Sequence, residues 1–105
     1  MKYLEISTTT AKRADAERIA NVLVRERLAA CVHVLGPARS THRWKGKMVN
    51  AEEWLCLIKT ERAHYKKVER RRLQIHPYEL PEIAAVPYIA GSSDYFKWVS
   101  EQIES

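Results

Sequence analysis

Residues 51–60 read AEEWLCLIKT, in which Leu55 and Leu57 alternate with Trp54, Cys56 and Ile58. Successive side chains of an extended chain point to opposite faces, so a strand here is apolar on both. Residues 29–37, AACVHVLGP, repeat the pattern, with Ala30, Val32 and Val34 on one side and Cys31 and Leu35 on the other. Strands of this kind belong to a sheet that is covered twice, because an apolar face left in water is unfavourable. A chain of 105 residues is expected to form one domain spanning 1–105 with a single core.

The remaining elements follow from period and punctuation. KYLEIST near the start sets Leu4 and Ile6 against Tyr3, Glu5 and Ser7, the alternation of a strand. Ala16, Ile19, Ala20 and Leu23 then recur at helical spacing, which predicts an amphipathic helix running to about Leu28. Extended chain is expected from Ala29 through Trp44, with Lys45-Gly46-Lys47 as a turn and 51–60 returning antiparallel to it. From Glu61 to Ile75 the sequence suits a helix whose inner side carries Tyr65, Val68 and Ile75, although Arg72 also falls on that side. HPYELPEI at 76–83 cannot continue it, because Pro77 and Pro81 lack a donor and push their predecessors toward extended geometry. EIAAVPYIA (82–90) reads as a strand that Pro87 confines to an edge or bulge. Gly91-Ser92-Ser93 supplies a break and a cap before a closing helix faced by Phe96, Val99 and Ile103.

The predicted order, β-α-β-β-α-β-α, contains the split βαβ arrangement of the α+β ferredoxin-like fold, a four-stranded antiparallel sheet here followed by an extra C-terminal helix. Two helices cover one face of such a sheet. The other face is expected to be covered by further subunits, with Trp44 and Trp54 as contact anchors.

Composition excludes several classes. The three glycines and the absence of a phosphate loop, a G-x-G-x-x-G or a G-x-S-x-G elbow leave no nucleotide cradle and no evident nucleophile, so a non-enzymatic protein is expected. No run approaches the ~20 apolar residues of a membrane span, and MKYLEISTTT lacks the apolar centre of a signal peptide, so a cytoplasmic protein that makes no membrane contact is expected. Two cysteines, Cys31 and Cys56, do not make a disulfide framework. The net charge of +5 permits attraction to polyanions, and HRWKGK surrounds Trp44 with basic residues. The aromatic run of an RNA-recognition motif is missing, however, and nucleic acid is not the expected partner.

Two constellations remain. Cys31 and His33 stand two apart on one strand and project from one face, a thiol and an imidazole suited to copper or another divalent metal. A complete site would need His76, Glu79 or another subunit for the remaining ligands. The proline-stiffened loop meanwhile presents His76, Tyr78, Glu79 and Glu82 with little conformational entropy left to lose, and Lys59 adds a cation nearby in sequence pattern. Glu79 and Lys59 equally suit an ordinary ion pair that fixes the loop.

ERLAACVHV (26–34), WKGK (44–47), Glu53 followed by LIKT (57–60), HPYELPEI (76–83) and YFKW (95–98), in this order and spacing across nearly the whole chain, resemble the CutA family of divalent-cation-tolerance proteins. The resemblance implies a homotrimer of ferredoxin-like subunits, similar to the PII-type signalling proteins, and a connection with copper or another divalent cation. It also implies a site built from Cys31, Trp44, Glu53, Lys59, His76, Tyr78 and Glu79 near subunit boundaries. The chain departs from the family's usual residues at His33 (commonly asparagine or threonine), His42 (commonly tyrosine) and Arg72 (usually apolar). The expected metal ligands are Cys31, His33, His76 and Glu79, with Trp44, Glu53, Lys59 and Tyr78 lining a ligand cleft. The rival expectation is a PII-like module that binds a small anion or metabolite in that cleft.

Overall fold

A computed structural model describes residues 1–76 and 80–104. In chain order the elements are β1 (Tyr3–Thr10), α1 (Arg13–Arg25), β2 (Cys31–Trp44), β3 (Lys47–Glu61), α2 (Tyr65–Ile75), β4 (Ile83–Pro87) and α3 (Ser93–Gln102), with a 3₁₀ turn at Arg62–His64 leading into α2. The strands form one antiparallel sheet in the order β2-β3-β1-β4. This is the ferredoxin-like α+β fold with an added C-terminal helix, as the sequence predicts.

Several boundaries differ from the sequence reading for local reasons. Helix α1 stops at Arg25 instead of Leu28 because Arg27 adopts a left-handed backbone, φ 59°. Strand β3 begins at Lys47, since Lys45 and Gly46 both take positive φ in the turn and let β3 pair with β2 from the tip, Trp44 opposite Lys47. Strand β4 is shorter than 82–90 and ends at Pro87, on the edge that a residue without a backbone donor tolerates. Ser92 caps α3 as expected, its hydroxyl accepting from the Tyr95 amide at 3.2 Å.

Helices α1 and α2 lie on one face of the sheet. There Ile6, Cys56 and Ile58 meet Ile19, Leu23 and Val68, all with no solvent exposure. Helix α3 crosses to the other face but covers only one end of it, where Val99 and Ile103 pack with Ala30 and Tyr3. Arg27 holds that end in place by donating to the carbonyls of Glu101 (2.8 Å) and Gln102 (3.0 Å), the last turn of α3. The β2–β3 hairpin continues past the body as a two-stranded arm, and the molecule measures 44 × 26 × 22 Å.

Trp54, expected at a subunit contact, has a place within the chain as well. It packs, partly buried, on the core beneath α1, so close to Gly36 that a Cβ there would lie 2.6 Å from its ring. The Arg13 guanidinium stands 5.6 Å from the ring centroid.

Candidate functional site

Pairing register places the candidate residues. Because side chains alternate, the face away from α1 and α2 carries successive cross-strand rows: Cys31, Lys59, Glu5 and Val86, then His33, Leu57, Ser7 and Ala84, then Leu35, Leu55 and Thr9. Cys31 and His33 therefore share a face on an edge strand, as the sequence implies. The Cys31 thiol is half-buried and unpaired, and His33 is exposed.

Lys59 is buried in the first row, its ammonium bonded to the Glu5 carboxylate. The Tyr88 hydroxyl donates to the same carboxylate oxygen at 3.0 Å, and the Tyr88 ring lies 5.8 Å from the ammonium. The bond from Lys59 holds the Glu5 carboxyl below its ordinary value, with Tyr88 and the nearby His33 acting in the same direction against partial burial. Burial disfavours the Lys59 ammonium, but the bonds to Glu5 and Tyr88 outweigh it and raise its pKa. The carboxylate partner of Lys59 among the described residues is thus Glu5, and the ion pair with Glu79 is not needed to satisfy it. Glu5 escaped the sequence reading because a polar residue alternating along a strand looks like one facing solvent.

The second constellation lies at the root of the arm. Thr9, Ser40, Thr41, His42, Glu53, Leu80 and Glu82 line a cleft of about 450 Å³. It joins the end of β1, both strands of the arm and the segment before β4, so Glu53 shares a cleft with Leu80 and Glu82. Lys59 lies six residues along β3 from Glu53, roughly 20 Å at strand rise, and Trp44 is at the arm's tip with the Lys45 ammonium 5.7 Å from its ring. In one chain Trp44, Glu53 and Lys59 therefore do not form a single cleft. Tyr78 and Glu79 fall outside the described residues.

His76 closes α2 on the helix-covered side, its Nε2 3.7 Å from the Asp15 carboxylate. Its backbone carbonyl accepts from Arg72, the residue that the helical spacing leaves unexplained. Arg72 is fully buried, and its guanidinium also donates to the Thr8 hydroxyl at 2.6 Å and the Thr9 carbonyl at 2.8 Å. The sheet thus separates His76 from Cys31 and His33 within a single chain. Among the described residues no group of three or more His, Cys, Asp and Glu side chains converges as a metal would require. The second cysteine, Cys56, has no part in such a site: burial pushes its thiol up to about 11.

Residues 4–102 match the family described as CutA1 divalent ion tolerance protein. The chain is 42% identical over 86 residues to the divalent-cation tolerance protein CutA of Thermus thermophilus, which covers 82% of this chain and 84% of the relative. The crystal structure of CutA from Xylella fastidiosa superposes with a TM-score of 0.94 at 40% identity, over 99% of this chain and all of that one (100%). A protein of Archaeoglobus fulgidus described as the periplasmic divalent cation tolerance protein CutA superposes at 0.93 with 32% identity, over 97% of this chain and 99% of its own.

Proposed function

The chain belongs to the CutA1 divalent ion tolerance family, and from that premise we propose that it is a homotrimer that binds a divalent metal, copper above all, at sites completed between subunits. The observation that carries this reading is the division of ligands by the sheet. Cys31 and His33 stand together on the open face, and His76 stands on the other side. A thiolate and imidazoles are a donor set for copper or zinc, and two ligands from one strand do not close a site. A neighbouring subunit supplies the rest, with Glu79 as the carboxylate candidate.

The same surface supports assembly. The open face exposes Leu35 and Val86 beside the half-buried Leu55 and Leu57, and the outer edges of β2 and β4 have no partner strand among the described residues. Unpaired edges and an apolar face are what a ring of identical subunits covers, the outer edge of one copy meeting a different edge of the next. The protein on this reading binds its ligand without transforming it, and its two free cysteines suit a reducing compartment, the cytoplasm. No helix among the described residues is long and apolar enough to cross a membrane. The rival small-anion reading is weakened because the Lys59 charge is already engaged by Glu5.

Competition with chelators of known strength, on reduced protein whose mass in solution is established by sedimentation, tests the proposal. Submicromolar, saturable copper binding by a species of three chains is expected, lowered at least a hundredfold in Cys31→Ser/His76→Ala. Wild-type affinity in that double variant would overturn the ligand assignment.

A further inference from the structure

We propose that the cleft at the root of the arm binds a small primary amine, its ammonium group held by the carboxylates of Glu53 and Glu82 and the hydroxyl of Thr9. The site uses none of the proposed copper ligands.

Strand register brings the three groups to one place. Thr9 stands opposite Leu55 on the open face of the sheet, and Glu53, two residues before Leu55 on β3, points the same way. Strand β4 pairs with β1 as far as Thr8 opposite Ile83, and one further step sets Glu82 beside Thr9 on that same face. All three line the cleft of about 450 Å³, a size that suits a small ligand.

The two carboxylates differ from others in the chain by having no cation. Glu5, Glu17, Glu26, Glu61 and Glu69 each meet a lysine or an arginine. Glu53 and Glu82 make no ion pair or hydrogen bond among the described residues. Of the 18 Lys and Arg residues in the chain, none is among the described residues that line their cleft. Two carboxylates facing one cleft repel each other and attract a cation.

Thr9 points to a ligand independently. It is only 6% exposed, and its hydroxyl has no hydrogen-bond partner among the described residues. A buried hydroxyl left in that state is unfavourable. Among the described residues the one unpartnered side-chain polar atom sealed from solvent is Nδ1 of His64, so the Thr9 hydroxyl opens onto the cleft that the residue lines.

An organic cation fits these acceptors better than a metal ion. No group of three or more His, Cys, Asp and Glu side chains converges among the described residues, as a divalent ion would require. A primary ammonium carries three donors, one for each of Glu53, Glu82 and Thr9. Leu80 on the wall gives its carbon chain an apolar contact.

The test is a titration of the full-length, metal-free protein with n-butylammonium chloride in the presence of a chelator, followed by the amide NMR shifts of Thr9, Glu53 and Glu82. Saturable shifts centred on these three amides are expected. Glu53→Gln and Glu82→Gln keep the shape and remove the charge, and each should weaken binding about tenfold. Thr9→Val, which replaces the hydroxyl at nearly constant volume, should weaken it about threefold. Tetramethylammonium carries the charge without an N–H donor and should bind about tenfold more weakly than butylammonium. No saturable shift, unchanged affinity in either glutamine variant, or equal binding of tetramethylammonium would overturn the proposal. Magnesium that binds the same amides more tightly than the amine would also overturn it, by assigning the cleft to a metal. Should Thr9→Val fail to fold, the two glutamine variants, at less buried positions, still decide. Because no copper is present, failure of the copper reading leaves this result unaffected.

Discussion

Two neighbouring residues of β3, Leu57 and Ile58, stand on opposite faces of one sheet and have different surroundings. Ile58 has no exposure and packs beneath α1 and α2 with Ile6, Cys56 and Val68. Leu57 is half-buried on the open face, in a row with His33, Ser7 and Ala84. The helix-covered face is a largely apolar core, with Arg72 and Thr8 buried at one end, in which burial raises the thiol of Cys56. The open face mixes aliphatic side chains with a thiol, an imidazole and the Glu5–Lys59–Tyr88 cluster. What differs is what remains available: the first face is saturated by its own chain, and the second offers both apolar area and donors to something outside it.

The largest expected effect comes from truncating the two residues in parallel. Ile58→Ala should destabilise the fold by about 2–5 kcal/mol through lost burial and a residual cavity, whatever the protein concentration. Leu57→Asp should leave each chain folded but dissociate the proposed trimer, read as a drop in sedimenting mass. Equal loss of stability in the two variants with no change in mass would erase the distinction between the faces.

A smaller effect sharpens the electrostatic side of the open face. Glu5 has a lowered carboxyl pKa when folded, so its contribution is fully present above the ordinary value of 4.5 and is lost as pH falls through the lower folded value. Lys59 is raised, so its contribution holds below 10.5 and is lost as pH rises through the higher folded value. The pair is therefore expected to support a plateau of stability between these limits. Glu5→Gln should lower that plateau by ~1 kcal/mol and flatten the acid limb of urea-denaturation stability measured against pH. An acid limb identical to wild type would show that Glu5 and Lys59 are not coupled as the structure has them.

The smallest effect concerns the thiols. Cys31→Ser should change stability by no more than about 0.5 kcal/mol. In native protein at neutral pH, iodoacetamide should modify Cys31 and leave Cys56 untouched, read by peptide mass after digestion. Labelling of Cys56 at a comparable rate would contradict its place in the core.

Much of this was legible beforehand. Alternation in KYLEIST, AACVHVLGP and AEEWLCLIKT named the three long strands and the doubly apolar sheet, and the turn at Lys45-Gly46, the edge position of Pro87 and the cap at Ser92 were read from local chemistry. These features depend on a few adjacent residues, which is why pattern suffices for them. The site was legible in part. Cys31 and His33 share a face, and Glu53 shares a cleft with Leu80 and Glu82, but Lys59 and Trp44 stand along and beyond them on a long arm.

Order along the chain, the period of each element and the inventory of donors were thus determined by the sequence itself, because steric alternation, turn conformations and missing donors act over a few residues. Tertiary structure alone decided the partners. Glu5 meets Lys59 across 54 positions, Arg72 meets Thr8 across 64, and His76 is parted from Cys31 by the sheet between them. Such pairings depend on strand register and helix docking, which are settled by the burial of the whole core, and no local pattern of charge or spacing contains them.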